Sequence, residues 1–241
     1  MCHNLWRGTC LSAIEPSCTL PRWSLYTRES RVHELREFVF VEANRVPLLY
    51  WITPKAAYST IVNRLLRRPP FRIVEVVSAD VPEASRRARW QAIVEEHAPL
   101  EFTFVREPVG QLLSALDQMR FCRGLGAAES VQDYLATFYE FVDDKWPAPH
   151  CRELHMYPQV AGYPAPGFAR LHFVGRVHRL RKDWSLLLQA INVSTADRAM
   201  DVVNRRVRPK FIRSDATWSV FATHPSVKAH TEWDLRCIAD I

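Results

Sequence analysis

One stretch of this sequence, residues 46–66, constrains the fold more than any other. It reads VPLLYWITPKAAYSTIVNRLL. The run Leu48 to Ile52 is apolar without polar alternation, which favours a strand buried on both faces in a parallel sheet. After a loop around Lys55, apolar residues recur at spacings of three and four, which predicts a helix. These apolar residues are Ile61, Val62, Leu65 and Leu66. The stretch is therefore predicted to fold as a strand, a loop and a helix.

The loop of this unit has the composition of an anion-binding site. Lys55 supplies a full positive charge, while Ser59 and Thr60 supply hydroxyl donors where the helix should begin. The unpaired backbone N–H groups of a helix N-terminus, together with the positive end of its dipole, favour an anion. Because the glycine-framed G-x-x-x-x-G-K-[ST] pattern is absent, the stretch taken alone is equally consistent with an ordinary strand-to-helix turn.

Strands and helices alternate along the rest of the chain. The further predicted strands are residues 38–42, 71–77, 100–105 and 171–175. The further predicted helices are residues 82–96, 108–121, 131–142, 179–191, 196–207 and 232–241. This alternation, without an internal repeat, predicts an α/β fold: a three-layer P-loop-like domain with a central parallel sheet flanked by helices. Ligands of such folds bind at the carboxyl ends of the strands, where the loops at Lys55 and Arg106 should both lie.

The length of the chain, 241 residues, suits one sizeable α/β domain. We expect an irregular lead-in over residues 1–36 and a single domain over residues 37–241, whose apolar ending predicts a helix cut short. No run approaches the roughly 20 apolar residues of a membrane span, and no apolar core of a signal peptide stands at the N-terminus. The six cysteines contain no C-x-x-C pair, so no metal site is predicted, and their disulfide state is left open.

The basic charge of the chain, formally +6 at pH 7, comes mainly from local groups of arginine. These groups are Arg64, Arg67, Arg68 and Arg72; Arg86, Arg87 and Arg89; Arg176, Arg179, Arg181 and Lys182; and Arg205, Arg206, Arg208 and Lys210. Such groups concentrate anions such as phosphates, acidic glycans or nucleic acid, although any single group is also explained by a solvated helix face. No RNP or zinc-finger signature accompanies them, so a nucleic-acid partner is not expected.

A second strand–loop–helix unit contains a motif that pairs with the first. It reads FVREPVGQLLSA over residues 104–115. Arg106 ends the predicted strand, and Ser114 follows about two helical turns later on nearly the same helix face. The planar guanidinium group of Arg106 suits a phosphate dianion. Taken by itself, this second motif is explained by a salt-bridged arginine and a core-facing serine. The occurrence of both motifs in this order favours a common ligand.

Together the two motifs resemble those of the sulfotransferases that use 3′-phosphoadenosine-5′-phosphosulfate (PAPS), especially the Golgi carbohydrate sulfotransferases that act on chondroitin and dermatan. In that family a P-K-x-x-S-T-type loop holds the 5′-phosphosulfate, and residues 54–60 read PKAAYST. A second segment, F-V-R-x-P-x-x-R-L-x-S-A, holds the 3′-phosphate through its first arginine and its serine. The resemblance extends over residues 46–207, with looser matches at HMYPQ (155–159) and FVGRV (173–177).

This resemblance implies PAPS as the co-substrate, without a metal, and a role for each predicted site residue. The residues implied to hold the 5′-phosphosulfate are Lys55, Ala56, Ala57, Ser59 and Thr60, and those implied to hold the 3′-phosphate are Arg106 and Ser114. Lys55 is also predicted to be catalytic, because it would stabilise the bridging oxygen as the sulfuryl group departs. The family implies the Golgi lumen and its membranes, whereas the sequence itself contains no anchor or signal.

The acceptor and the general base are less closely determined. A carbohydrate hydroxyl is expected as the acceptor, and the arginine groups favour an anionic glycan, although a plain sugar, lipid or small alcohol would fit the same co-substrate site. His97 is the only histidine between the two motifs, so it is the first candidate for the general base, with Glu75 and His155 as rivals. For each of these three residues a surface or packing role is the more common explanation.

Two positions depart from the family pattern. Tyr58 stands where a small hydroxyl residue is usual, which removes one expected side-chain contact to the 5′-phosphate. Gln111 replaces the second arginine of the 3′-phosphate motif.

Two other functions explain part of the sequence. A P-loop nucleotide kinase would use the same anion cradle with magnesium, but no clear magnesium-binding aspartate follows an apolar strand, and Arg106 and Ser114 would have no role. A non-catalytic basic module that binds anionic glycans or nucleic acid would explain the arginines but not the paired loops.

Overall fold

The computed structural model describes residues 35–142, 156–164, 168, 170–193 and 215–239. The strands are β1 (Phe38–Ala43), β2 (Val46–Trp51), β3 (Phe71–Val77), β4 (Leu100–Val105) and β5 (Phe173–Arg176). The helices are α1 (Tyr58–Thr60), which continues as a π-helix over Ile61–Leu65, α2 (Glu83–His97), α3 (Pro108–Cys122), α4 (Val131–Val142), α5 (Leu180–Ala190), α6 (Asp215–Thr223) and α7 (Pro225–Ala239). A 3-10 turn over Val177–Arg179 precedes α5. None of the described helices combines the length and apolarity needed to cross a bilayer.

The strands form one mixed sheet in the order β3-β1-β2-β4-β5. β2 pairs parallel with β4, and β4 pairs parallel with β5, whereas β1 is antiparallel to both β2 and β3. The predicted central parallel sheet is therefore parallel only in part. The cause is the tight turn between β1 and β2, where Asn44 and Arg45 have φ angles of 50° and 68°. Two consecutive left-handed residues match a type I′ hairpin turn, which reverses the chain and requires antiparallel pairing.

Helices pack on both faces of this sheet. Phe38 and Phe40 of β1 belong to an apolar core that includes residues of α2, α3 and α4. Val39 and Val41 belong to a second core, which includes residues of the π-helix and of α5. Side chains alternate across a strand, so β1 contributes to both cores in turn. Burial on both faces explains why the central strands are apolar without alternation.

Most of the predicted elements are confirmed in position. The bounds of β3, β4 and α4 agree with the prediction, and those of β1, α2, α3 and β5 differ by a few residues. The helix predicted after Lys55 differs most, because it consists of a three-residue α-turn and a five-residue π-helix. The helix predicted over residues 196–207 and nearly all of the lead-in predicted over residues 1–36 lie outside the described residues.

Candidate functional site

The two predicted phosphate loops leave the sheet at the same edge, side by side. β2 and β4 are parallel neighbours, with Tyr50 opposite Phe102 in the pairing register. The residues that follow Trp51 and Val105 therefore emerge at a common carboxyl edge, where ligands of α/β sheets bind. The topology thus brings the loop of Lys55 next to Arg106.

A direct contact joins the first loop to the helix of the second. The Lys55 ammonium group donates a hydrogen bond to Oε1 of Gln118, at 3.4 Å. Gln118 lies four residues after Ser114 on α3, and residues at this spacing share a helix face. Lys55 therefore reaches the face of α3 that also carries Ser114.

Gly110 places the side chain of Arg106 on the same face of α3. A Cβ atom at position 110 would lie 3.3 Å from Nε of Arg106 and 3.1 Å from Oε2 of Glu107. A ring carbon of Trp218 on α6 would lie at 3.2 Å, so a side chain here would have to displace the arginine, the glutamate or the tryptophan. Gly110, Ser114 and Gln118 follow at intervals of four residues, and we call these three residues the α3 stripe. Arg106 lies beside Gly110, the first residue of the stripe, and Lys55 is hydrogen-bonded to Gln118, the last. These two ends of the stripe are about 12 Å apart along the helix axis, at 1.5 Å per residue.

The carboxylate of Glu107 caps α3. Its Oε1 accepts a hydrogen bond from the N–H of Val109 at 2.9 Å, and its Oε2 accepts one from the N–H of Gly110 at 2.6 Å. Pro108 suits the first helical position because it has no N–H to satisfy. The start of α3 is thus occupied by a carboxylate of the chain itself. An external anion would have to be bound by side chains, chiefly that of Arg106.

The first loop contains two non-glycine residues in the left-handed backbone conformation. Lys55 and Ala57 have φ angles of 62° and 63°. Ala56 lies between them, fully buried, and its N–H donates to the carbonyl of Thr53 at 3.2 Å. A left-handed conformation costs a non-glycine residue roughly 1–2 kcal/mol, which the surrounding packing has to offset. Left-handed residues are components of the backbone concavities that bind anions in other proteins.

The start of the helix after this loop offers fewer hydrogen-bond donors to an anion than the sequence predicts. No side chain caps α1. The N–H groups of Thr60 and Ile61 both donate to the carbonyl of Ala57, at 2.9 and 3.0 Å. Ser59 is exposed and the Thr60 side chain is half-buried. The α-turn and the π-helix that follows it are together only eight residues long, so the one full positive charge that the sequence places in this loop is that of Lys55.

Three hydroxyl groups that the motifs do not predict join the ends of β2 and β4. Oγ1 of Thr53 hydrogen-bonds Oγ1 of Thr103 at 2.9 Å and the hydroxyl of Tyr163 at 2.8 Å. Thr103 also donates to the carbonyl of Trp51 at 2.8 Å. The sequence contains an indication of this contact, because the polar residue Thr103 lies in a strand of mostly apolar residues, close to its carboxyl end. These bonds fix the spacing of the two strands just before the loops begin.

Gln159, the last residue of the segment HMYPQ, contacts the second motif directly. The side chain of Gln159 is fully buried. Its Oε1 accepts from the N–H of Arg106, and its Nε2 donates to the carbonyl of the same residue, both at 2.7 Å. The backbone at Arg106 is therefore clamped from a distant part of the chain.

The predicted general bases that the structure describes lie away from these loops. His97 comes just before β4, at the opposite edge of the sheet from Lys55, and its ring stacks on Phe40 at 5.0 Å. Glu75 lies on the edge strand β3, where its carboxylate accepts a hydrogen bond from Arg89 at 2.7 Å. His155 lies outside the described residues. His97 and Glu75 are thus placed in packing and ion-pair contacts elsewhere on the sheet.

The remaining sequence features have mixed outcomes. Tyr58, 37% exposed, is accessible at the loop, whereas Gln111 is buried within α3. Several arginines of the basic groups form ion pairs within the protein, among them Arg72 with Glu42 and Arg179 with Asp183.

Cys122 and Cys237 are each disulfide-bonded. In the described ranges, no group of three or more His, Cys, Asp or Glu side chains could hold a metal ion.

The α3 stripe with its two cations is an arrangement that can bind one ligand carrying two separated anionic groups. Arginine supplies a planar hydrogen-bonding fork at one end, and lysine supplies a compact charge at the other. Ser114 lies between them in the helix register, on the same face. Comparisons of this chain with protein-family models, curated proteins and solved structures find no match.

Proposed function

We propose that this chain is a sulfotransferase that moves the sulfuryl group of PAPS to a hydroxyl group of a carbohydrate, on a P-loop-like three-layer scaffold. The observation that carries the proposal is the α3 stripe, with Arg106 beside Gly110 and Lys55 bonded to Gln118. PAPS has an anionic group at the 3′ position and another at the 5′ position of one ribose. Such a ligand requires two cationic sites at a fixed spacing, and the donors at this edge fit that requirement.

The two ends of the stripe would hold different parts of the co-substrate. In this proposal the 5′-phosphosulfate lies against the first loop, formed by Lys55, Ala56, Ala57, Ser59 and Thr60. Arg106 and Ser114 hold the 3′-phosphate. The capped N-terminus of α3 supports this division, because the Glu107 carboxylate prevents a phosphate from sitting directly on the helix end and leaves the arginine side chain to bind it.

The reaction would be an in-line displacement at sulfur. The acceptor oxygen forms a bond to sulfur while the bond from sulfur to the bridging oxygen of the 5′-phosphate breaks. The electron pair of that bond stays on the departing adenosine 3′,5′-bisphosphate, where the Lys55 ammonium group neutralises the developing charge. The acceptor hydroxyl gives its proton to a base, for which His155 stays a candidate from the sequence alone, since it lies outside the described residues.

Two further features support the cellular setting and acceptor class within this proposal. The disulfide-bonded Cys122 and Cys237 suit an oxidising compartment such as the Golgi lumen. Arg181 and Lys182 are exposed at the start of α5, which follows β5 at the carboxyl edge of the sheet, and they favour an anionic glycan as the acceptor.

The experiment that tests the proposal is a titration of adenosine 3′,5′-bisphosphate into the purified chain without magnesium, followed by transfer of radiolabelled sulfate from PAPS to a panel of glycans. We expect binding without metal and labelling of at least one carbohydrate. Absence of binding would overturn the proposal, and magnesium-dependent binding of ATP in its place would favour a nucleotide kinase. Binding without transfer to any glycan, lipid or small alcohol would favour a non-catalytic module.

A further inference from the structure

A buried carboxylate on α7 holds the turn that carries Gln159. Asp234 is 3% exposed. Its Oδ2 accepts a hydrogen bond from the N–H of Gln159 at 2.8 Å, and its Oδ1 accepts one from the N–H of Val160 at 3.1 Å. Both oxygens of one side chain are therefore used to orient two consecutive peptide groups.

Gln159 connects the turn held by Asp234 to the backbone of Arg106. Its backbone N–H is bound to Asp234, and its side-chain amide makes both 2.7 Å bonds to the Arg106 backbone. An amide held at both ends has little freedom to follow a displaced partner. Any shift of the turn would either break the pair of bonds or move the start of α3, where the guanidinium group passes Gly110.

Arg36 connects the same turn to the first phosphate loop. Its guanidinium group donates to the carbonyls of Pro158 at 2.6 Å and Gln159 at 3.1 Å, and also to that of Ala161. A longer bond of 3.5 Å reaches the carbonyl of Ile52, directly after β2. The turn over residues 158–161 is thus tied to the ends of both β2 and β4.

We propose that Asp234 is a positioning residue for Arg106: by orienting the Gln159 turn, it sets where the guanidinium group meets the 3′-phosphate. The inference rests on the proposed function, because it concerns the phosphate that Arg106 would bind there. The role connects α7 to the co-substrate site through the backbone of Gln159.

The substitution Asp234→Asn isolates this role. Asparagine has nearly the same shape but only one acceptor oxygen, and its amide group would present N–H donors to a backbone N–H. One of the two bonds to the turn is therefore lost and replaced by a repulsive contact. Gln159→Met removes the other end of the connection, since a methionine of similar length cannot bond the Arg106 backbone.

The test compares the affinities of these variants for adenosine 3′,5′-bisphosphate and for adenosine 5′-phosphate by calorimetric titration. We expect both variants to bind the bisphosphate about tenfold more weakly, equivalent to about 1.4 kcal/mol, with less than about a twofold change for the monophosphate. The matched control is Glu101→Gln. Glu101 is a buried carboxylate near the start of β4 that accepts from Nε1 of Trp51 at 2.8 Å and from Arg170 at 3.0 Å. This control should lower the melting temperature without altering the ratio of the two affinities.

The outcomes separate the inference from the function on which it rests. If the unaltered protein prefers the bisphosphate and both variants keep that preference, or lose affinity for both nucleotides equally, the positioning role is overturned while the sulfotransferase proposal stands. If the unaltered protein shows no preference for the bisphosphate, the proposed function fails and this inference fails with it. Should Asp234→Asn not fold by circular dichroism, Gln159→Met decides the result.

Discussion

The Lys55 ammonium group and the Gln118 side-chain oxygen are hydrogen-bonded at 3.4 Å, so the loop after β2 contacts the helix that follows β4. Gln118 is a neutral partner, and this bond therefore orients the lysine without cancelling its charge. The same helix face carries Ser114 and receives Arg106 beside Gly110. Two motifs that are far apart in sequence thus share one surface of α3.

Replacing Lys55 with alanine should reduce sulfuryl transfer strongly and stability little. Loss of a charge that acts on the departing oxygen is expected to lower kcat about 100-fold or more. The free energy of unfolding should change by less than about 0.5 kcal/mol, because the side chain is not part of the buried core. Radiolabelled sulfate transfer and urea denaturation measure the two effects. Lys228→Ala, an exposed lysine on α7, is the control, and kcat equal in the two variants would exclude Lys55 from the reaction.

Ala57→Gly should stabilise the protein or leave its stability unchanged, whereas Ala56→Gly should destabilise it. Ala57 has a φ angle of 63°, a conformation that glycine adopts without strain. Ala56 is fully buried and is not left-handed, so glycine there only loses packing and adds freedom to the unfolded chain. We expect the two free energies of unfolding to differ by about 1 kcal/mol or more in favour of the glycine at position 57. Equal destabilisation by both changes would contradict the strain assigned to Ala57.

Arg106→Lys should weaken binding of the 3′-phosphate selectively. A lysine keeps the charge but loses the planar fork, and charge-assisted hydrogen bonds contribute roughly 1.5–3 kcal/mol each. The affinity for adenosine 3′,5′-bisphosphate is therefore expected to fall roughly tenfold to a hundredfold, with that for adenosine 5′-phosphate nearly unchanged. Arg89→Lys, at an exposed ion pair with Glu75, serves as the control. A parallel loss for both nucleotides would show that Arg106 acts on the fold and not on the 3′-phosphate.

Gly175→Ala should destabilise the sheet next to the site. A Cβ atom at position 175 would lie 2.2 Å from a ring carbon of Phe104, and the ring is fully buried. Because β5 and β4 are paired at these positions, relief requires a shift of the ring or of the strand. Overpacking of this kind costs about 1–3 kcal/mol. Thermal and urea unfolding measure it, with Gly126→Ala as the control, since nothing lies within 4 Å of the added atom there.

The stability of the protein should depend on pH through two buried groups of α7 that act in opposite directions. Burial raises the pKa of Asp234 from 3.8 to about 6, against the opposing effects of its backbone hydrogen bonds and of Arg36. Its protonated form therefore contributes stability that is fully present below about pH 4 and is lost as the pH rises through about 6. Burial lowers the pKa of His230 from 6.5 to about 4, against its hydrogen bond to the Met156 carbonyl. Its neutral form contributes stability that is present above pH 6.5 and is lost as the pH falls through about 4.

Single substitutions should expose each of these opposing slopes. Asp234→Asn removes the aspartate effect, so the free energy of unfolding should fall relative to that of the unaltered protein as the pH is lowered from 6 to 4. His230→Gln removes the histidine effect, so the free energy of unfolding should increase relative to that of the unaltered protein as the pH is lowered from 6.5 to 4. Urea denaturation across this range measures both. Changes of slope of the same sign in the two variants, each measured against the unaltered protein, would contradict the assignment.

Much of the fold could be predicted from local sequence patterns. The strand-like run Leu100–Val105 and Pro108 are sufficient to place a buried strand followed by a helix. The alternation of strands and helices also predicted that Lys55 and Arg106 lie on one edge, which needs only the parallel pairing of β2 with β4. These features depend on residues that are close together along the chain. Hydrophobic periodicity and the positions of prolines are local patterns, so they predict such features directly.

The tertiary structure decided what depends on residues far apart in sequence. The direction of β1 follows from left-handed Asn44 and Arg45, where no glycine marks the turn. The packing of α2 placed His97 on Phe40, at the opposite edge of the sheet from Lys55. The clamp from Asp234 through Gln159 to Arg106 joins three separate segments by buried hydrogen bonds. Such bonds form where folding brings polar groups together out of water, and no local pattern in the sequence specifies their partners.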